Sequence, residues 1–228
     1  MAKVIFSAAI ADMRNKLGSV VYARNRYGAY TRAYKLTVNP GTPDQLTQQA
    51  VFTTVSGTWK TLTESEREQW RQAALKVKRK DIFSNQSNLT GLQYFNKLNL
   101  EYYLVNGSVL NLPPVLREIP LFSGMQLSLN IGLSELVISF AKNNLTNQYA
   151  VRVRATSEQS QGAIFFKNLY YGITIINDAT AFPSNVYAAY IAKYITFTSG
   201  TRVGIQVYAI DKTTGLRSSP INGYVDVP

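Results

Sequence analysis

The sequence predicts an α+β protein in two domains, an N-terminal β-hairpin followed by about three helices and a C-terminal antiparallel β-sandwich. Three observations carry this reading. Apolar residues recur at helical spacing between about 43 and 105 and alternate from 117 onward. Asn106-Gly107-Ser108 and Asn111-Leu112-Pro113-Pro114 stand between the two regimes and oppose regular pairing. A chain of 228 residues also exceeds what one ordinary core needs. The expected division is 1–107, a linker at 108–116, and 117–228.

The first domain opens on Gly18–Pro43, where basic and aromatic residues concentrate. Residues 19–25 and 29–35 are rich in β-branched and aromatic side chains, and Arg26-Tyr27-Gly28 between them supplies a turn. Alternation through a three-residue turn places Val21, Ala23, Ala29, Thr31 and Ala33 on a small, packable face. It places Tyr22, Arg24, Arg26, Tyr30, Arg32 and Tyr34 on the other. A two-stranded ribbon is marginal alone, so this one needs the following helices or a partner.

Thr42, Pro43 and Gln45 form a helix start, with Thr42 as N-cap, Pro43 in the first turn and Gln45 closing a capping box; the helix runs from about 43 to 60. Its apolar positions are Leu46, Ala50, Val55 and Trp59, with Val51 and Phe52 beside them. Thr63 and Glu66 repeat the device for a second helix over about 64–77, which presents Trp70, Ala73, Ala74 and Val77 to the first. Trp59 and Trp70 are expected to meet at the corner as core anchors. The run Lys76-Val77-Lys78-Arg79-Lys80 then places four cations at the negative end of the helix dipole, or forms an anion-binding patch. A third helix, from Thr90 to about Val105, is too apolar to be fully solvated.

Seven strands are expected beyond the linker, at 126–131, 135–141, 149–155, 163–175, 187–197, 202–210 and 222–227. Asn143-Asn144, Ser160-Gln161-Gly162, Pro183-Ser184-Asn185, Ser199-Gly200 and Thr213-Thr214-Gly215 separate them, as in an antiparallel sandwich.

Composition narrows the function. With neither cysteine nor histidine in the chain, disulfides, thiolate and imidazole metal sites, and Ser-His-Asp or Cys-His catalysis are excluded. No phosphate-binding glycine loop or nucleophile-elbow motif occurs. Glu64, Glu66 and Glu68 suit a first helical turn, not a convergent metal site. The reading is therefore a non-enzyme without cofactors. Asp12 and Arg14 interrupt the apolar run near the start before it reaches signal-peptide length, and no run reaches spanning length, so neither secretion nor a membrane is expected.

The net charge of +11 is uneven, since residues 1–80 carry 14 Lys and Arg against 5 Asp and Glu. Such a field favours a polyanionic partner, whether nucleic acid or an acidic protein surface. The candidate interface or polyanion-binding residues are Tyr22, Arg24, Arg26, Tyr27, Tyr30, Arg32, Lys76, Lys78, Arg79 and Lys80. Three readings of the Arg/Tyr ribbon stay open: contact with phosphates and bases, anchoring in a protein interface, or tyrosine rings covering the two helices.

The N-terminal pattern also carries a resemblance. Gly18, Val20-Val21-Tyr22, Arg24-Asn25-Arg26-Tyr27-Gly28, Tyr30 and Arg32, then Asn39-Pro40, Thr42, Gln45, Phe52, Ser56, Trp59, Leu62-Thr63, Arg67, Trp70 and Ala73, resemble an uncharacterised protein family of tailed bacteriophages and prophages. Val203 to Asp211, Thr214 to Pro220 and Tyr224 to Val227 are similar to the final hairpin of fibronectin type III and other immunoglobulin-like domains, with Phe140 where a strand-C tryptophan is usual. The resemblance implies a structural virion protein made in the host bacterial cytoplasm, with capsid, portal, neck or tail proteins as partners, homo-oligomeric in the particle. The alternative is a non-enzymatic nucleic-acid-binding protein.

Overall fold

The structure is a computed structural model that describes residues 2–3, 5, 12–25, 28–36, 41–80, 86–119, 123–142, 145–166 and 169–228. It is α+β, with antiparallel sheets and four helices among the described residues. Two compact units divide it, residues 1–46 and 47–228. The segment 108–116 therefore lies inside the second unit and does not separate two bodies.

In the first unit the expected hairpin is present as β3 (Val20–Asn25) and β4 (Gly28–Ala33), and two further strands extend it. β1 (Ala2–Lys3) pairs with β4 and β2 (Asn15–Leu17) with β3, giving the order β1-β4-β3-β2. Leu17 pairs with Val20 across Gly18, whose φ of 58° lies in the left-handed region that glycine adopts without strain.

Three helices form the first layer of the second unit: α1 (Pro43–Thr61), which starts at its boundary, α2 (Glu64–Leu75) and α3 (Gly91–Asn106). The caps are those the residues announce. Thr63 Oγ1 accepts from the Glu66 amide while Glu66 Oε2 accepts from the Thr63 amide at 2.7 Å, and Thr90 and Gln93 reproduce the arrangement on α3. Gly107, at φ 68°, ends α3. Trp70, Phe95, Leu98 and Val55 are fully buried between these helices. Trp59 and Trp70 both meet Phe95 edge-on, with ring centroids 5.2 and 5.1 Å away, so a phenylalanine of the third helix joins the two tryptophans.

The segment after α3 is pinned to this layer. The buried Trp70 indole N–H donates to the Asn111 carbonyl at 2.7 Å, and the buried Asn99 side chain accepts from the Leu110 amide at 2.7 Å. The prolines do prevent regular pairing there, but these two bonds satisfy the Asn111 carbonyl and the Leu110 amide and tie the stretch to the helices.

The helix expected to run to 77 stops at Leu75. Lys78–Lys80 instead forms β5, paired with β6 (Gln86–Asn88), so only Lys76 occupies the helix end.

Two sheets complete the unit. β7 (Ser123–Asn130), β8 (Glu135–Lys142) and later β12 (Ser184–Asn185) form one, in the order β12-β8-β7. The other is built on β13 (Thr201–Asp211), which pairs with β9 (Tyr149–Ala155), with β14 (Ile221–Asp226) and with two residues of β10 (Gln159–Ser160), while β11 (Tyr171–Ile176) flanks β9. Leu136 and Ile138 of one sheet pack with Val151, Val153, Val203, Ile205 and Val207 of the other, all fully buried.

The strand expected at 187–197 is a helix, α4 (Tyr187–Tyr194). Its residues are almost all apolar, so alternation and helical period fit equally well. The structure selects the helix because Tyr187, Tyr190, Ile191 and Tyr194 then share one face against the core. The strand expected at 163–175 begins only at Tyr171, and the chain before it crosses a sheet face.

Candidate docking surface

The register of β3 with β4 decides which side chains share a face. Asn25 pairs with Gly28, Arg24 with Ala29, Ala23 with Tyr30, Tyr22 with Thr31, Val21 with Arg32 and Val20 with Ala33. Directly paired residues of antiparallel strands project to the same side. Odd-numbered positions therefore share a face with even-numbered ones, contrary to the three-residue turn expected at 26–28. Tyr22 and Arg24 lie on one face with Ala29, Thr31 and Ala33, whereas Tyr30 and Arg32 lie on the other with Val21 and Ala23. The expected single Arg/Tyr face does not form, because one residue fewer in the turn inverts one strand relative to the other.

β2 extends both faces. Leu17, opposite Val20, joins the face of Tyr22; Lys16, opposite Val21, joins the face of Arg32. The Lys16 ammonium sits 3.7 Å from the centroid of the Tyr34 ring, a cation–π contact on that second face. One face carries Leu17, Val20, Tyr22, Ala29 and Ala33 with the polar Asn15, Arg24 and Thr31 among them. The other collects Lys16, Arg32, Tyr30 and Tyr34 around Val21 and Ala23. Arg26 and Tyr27 lie outside the described residues.

None of the described side chains of residues 1–46 is buried, and Leu17 is 62% exposed. Four short strands with no interior residue among the described side chains lack the apolar burial that stabilises a sheet.

The second cluster belongs to the other unit. Lys76 and Lys78 are exposed, and Arg79 and Lys80 follow them in β5, a two-stranded ribbon. Glu64 and Glu68 both meet Arg71, at 2.6 and 3.0 Å, and Glu66 is held by Thr63. These contacts keep the three carboxyls below their ordinary pKa range: chiefly Arg71 for Glu64, Thr63 for Glu66, and Gln72 followed by Arg71 for Glu68. They are helix-start carboxylates, and among the described residues no acidic group of three converges on a metal position.

No family model, curated protein or solved structure matches the chain. No helix among the described residues is long and apolar enough to cross a membrane.

Sequence reasoning passed over the buried acid of α3. Glu101 accepts from Arg152 Nη1 at 3.2 Å and from the Tyr208 hydroxyl at 3.3 Å, with Arg217 Nη1 at 3.6 Å. A lone glutamate among Leu100, Tyr102 and Tyr103 was the available signal.

Proposed function

We propose that this chain is a structural protein of a tailed-phage particle that docks through its N-terminal sheet onto an acidic surface of a neighbouring virion protein. The carrying observation is a sheet with a basic aromatic face, an opposite face that mixes apolar with polar side chains, and no buried side chain among its described residues. Such an element reaches stability by being covered, and Arg and Tyr are suited to interface centres. The excess of cations in residues 1–80 steers it toward carboxylates on a partner. The second unit supplies a body with two apolar cores, and its sheets with the β13–β14 hairpin support an immunoglobulin-like reading of the part that projects from the particle.

The test is direct. Mass spectrometry and electron microscopy of purified particles are expected to find the chain as a stoichiometric, symmetrically placed component; particles without it overturn the proposal. The nucleic-acid reading rests on the shared face of Lys16, Arg32, Tyr30 and Tyr34. It predicts DNA retention with a steep salt dependence, which the docking reading does not require.

A further inference from the structure

A pocket lies on the side of the five-stranded sheet that faces away from the core, lined by residues between Arg154 and Tyr224 and apart from the N-terminal sheet. Along β13, Val203, Ile205 and Val207 enter the core, so Gly204, Gln206 and Tyr208 face the opposite side. Tyr208 reaches Glu101, while Gly204 and Gln206 lie where residues 163–166 cross the sheet. The Phe166 ring rests so closely on Gly204 that a Cβ there would stand 2.9 Å from it, which fixes the ring's height above the sheet. Tyr170 meets Phe166 edge-on, and Tyr224 of β14 stands half exposed as the facing wall. The Arg202 guanidinium lies 4.0 Å from the Tyr224 ring centroid and is held by Asp226 at 2.5 and 3.0 Å. The cavity measures about 620 Å³, within the range of small-molecule sites.

The polar groups of this pocket have fixed directions. A guanidinium only donates, so Gln206 turns Oε1 to Arg154 Nη1, at 2.8 Å. Its Nε2 then donates to Asn222 Oδ1 at 2.9 Å, which leaves the Asn222 amide N–H groups as donors. The sheet's arginines also differ in their partners. Arg152 pairs with Glu101 and Arg202 with Asp226, but Arg154 bonds only the neutral Gln206 and the Tyr170 carbonyl, and no carboxylate among the described residues pairs with it. A half-buried cation among aromatic rings without a counter-charge favours an anionic group on a ligand.

We propose that this pocket binds a saccharide ring bearing a carboxylate. The carboxylate faces Arg154, hydroxyl oxygens accept from the Asn222 amide, and the apolar C–H face of the ring lies on Tyr224. Ile164 and Phe165, each 77% exposed at the rim, meet a neighbouring sugar. A flat nucleobase fits less well, since Phe166 and Tyr170 are inclined by 63° and form no parallel slot.

The test titrates the full chain, by calorimetry and by NMR, with digalacturonate, with N-acetylneuraminate and with the uncharged galactose disaccharide. At least one acidic sugar is expected to bind about tenfold or more tightly than the neutral one, a ratio worth about 1.4 kcal/mol. Y224A and F165S are expected to weaken it severalfold while thermal unfolding stays cooperative, and R154Q to abolish the preference for acid. Should R154Q fail to fold, the two exposed variants decide. Failure of both acidic sugars to bind, equal binding of acidic and neutral sugars, equal binding by Y224A, or tighter binding of a nucleoside monophosphate each overturns the proposal.

Discussion

Glu101 of α3 and Arg152 of β9 are joined by an ion pair of 3.2 Å, with only 12% and 16% of their side chains exposed. The Tyr208 hydroxyl completes the acid's bonding. This cluster ties the helical layer to the five-stranded sheet, and Gly215 seals the same seam beside it.

Removing Glu101 leaves the Arg152 charge largely buried and without its carboxylate. E101Q is expected to lower unfolding free energy by about 3 kcal/mol, measured by urea denaturation. An E101L/R152M/Y208F triple variant should recover most of that loss, because the apolar side chains need no counter-charge and no buried hydroxyl is left without its acceptor. A loss in E101Q below about 0.5 kcal/mol would place the pair with exposed ones of little consequence.

Gly215 tests the closeness of the seam. Its φ is +69°, and an added Cβ would fall on the Leu98 carbonyl oxygen and within 2.9 Å of Tyr102 Cβ. G215A combines backbone strain with a clash and is expected to cost about 2 kcal/mol or more, read as a drop in thermal midpoint. G162A, where nothing approaches the added methyl and no positive φ is required, serves as the tolerated control.

Acid and alkali should both destabilise the fold. The carboxyls of Glu64, Glu66, Glu68, Asp178 and Asp226 are lowered by their hydrogen bonds, first among them those to Arg71, Thr63, Gln72, Thr180 and Arg202 respectively. A lowered folded value means that their contribution is complete above the unfolded carboxyl range, near pH 4, and is lost as pH falls through the folded values. Burial raises the hydroxyls of Tyr94, Tyr170, Tyr190 and Tyr208. Their contribution is complete below about pH 10 and is lost as pH rises toward the folded values. Thermal midpoints measured against pH are expected to form a plateau that falls at both ends, and a midpoint unchanged across either end contradicts the assignment.

Charge reversal distinguishes the faces of the N-terminal sheet. K16E/R32E alters the basic aromatic face, whereas R24E alters the opposite one. Incorporation into particles is expected to fall more than about tenfold for the first if that face meets carboxylates. Loss with R24E alone assigns docking to the face of Arg24, and unchanged incorporation in both removes the sheet from the interface.

Shortening the chain separates the two units. A protein beginning at residue 42 retains the Thr42 cap and both apolar cores, which lie wholly within 47–228. It is expected to unfold cooperatively at nearly the midpoint of the full chain. A broad, non-cooperative transition would show that the N-terminal sheet is required for the rest.

The amino-acid sequence by itself determined what acts over a few residues. Thr42/Gln45 and Thr63/Glu66 set the starts of α1 and α2 because each cap closes on its own first turn. Gly107 stops α3 by its left-handed backbone, and alternating segments became β7, β8, β9, β13 and β14. The tertiary structure decided the rest. One residue in the 25–28 turn changed the companions of Tyr22 and Arg24, since strand register is settled by pairing. The run at 187–197 suited two periods until the core selected the helical face of Tyr190. Glu101 met Arg152 across 51 positions, and Phe166, Gln206, Asn222 and Tyr224 made one pocket from separate stretches. Contacts between distant segments depend on how whole sheets and helices stack, and local pattern does not encode that stacking.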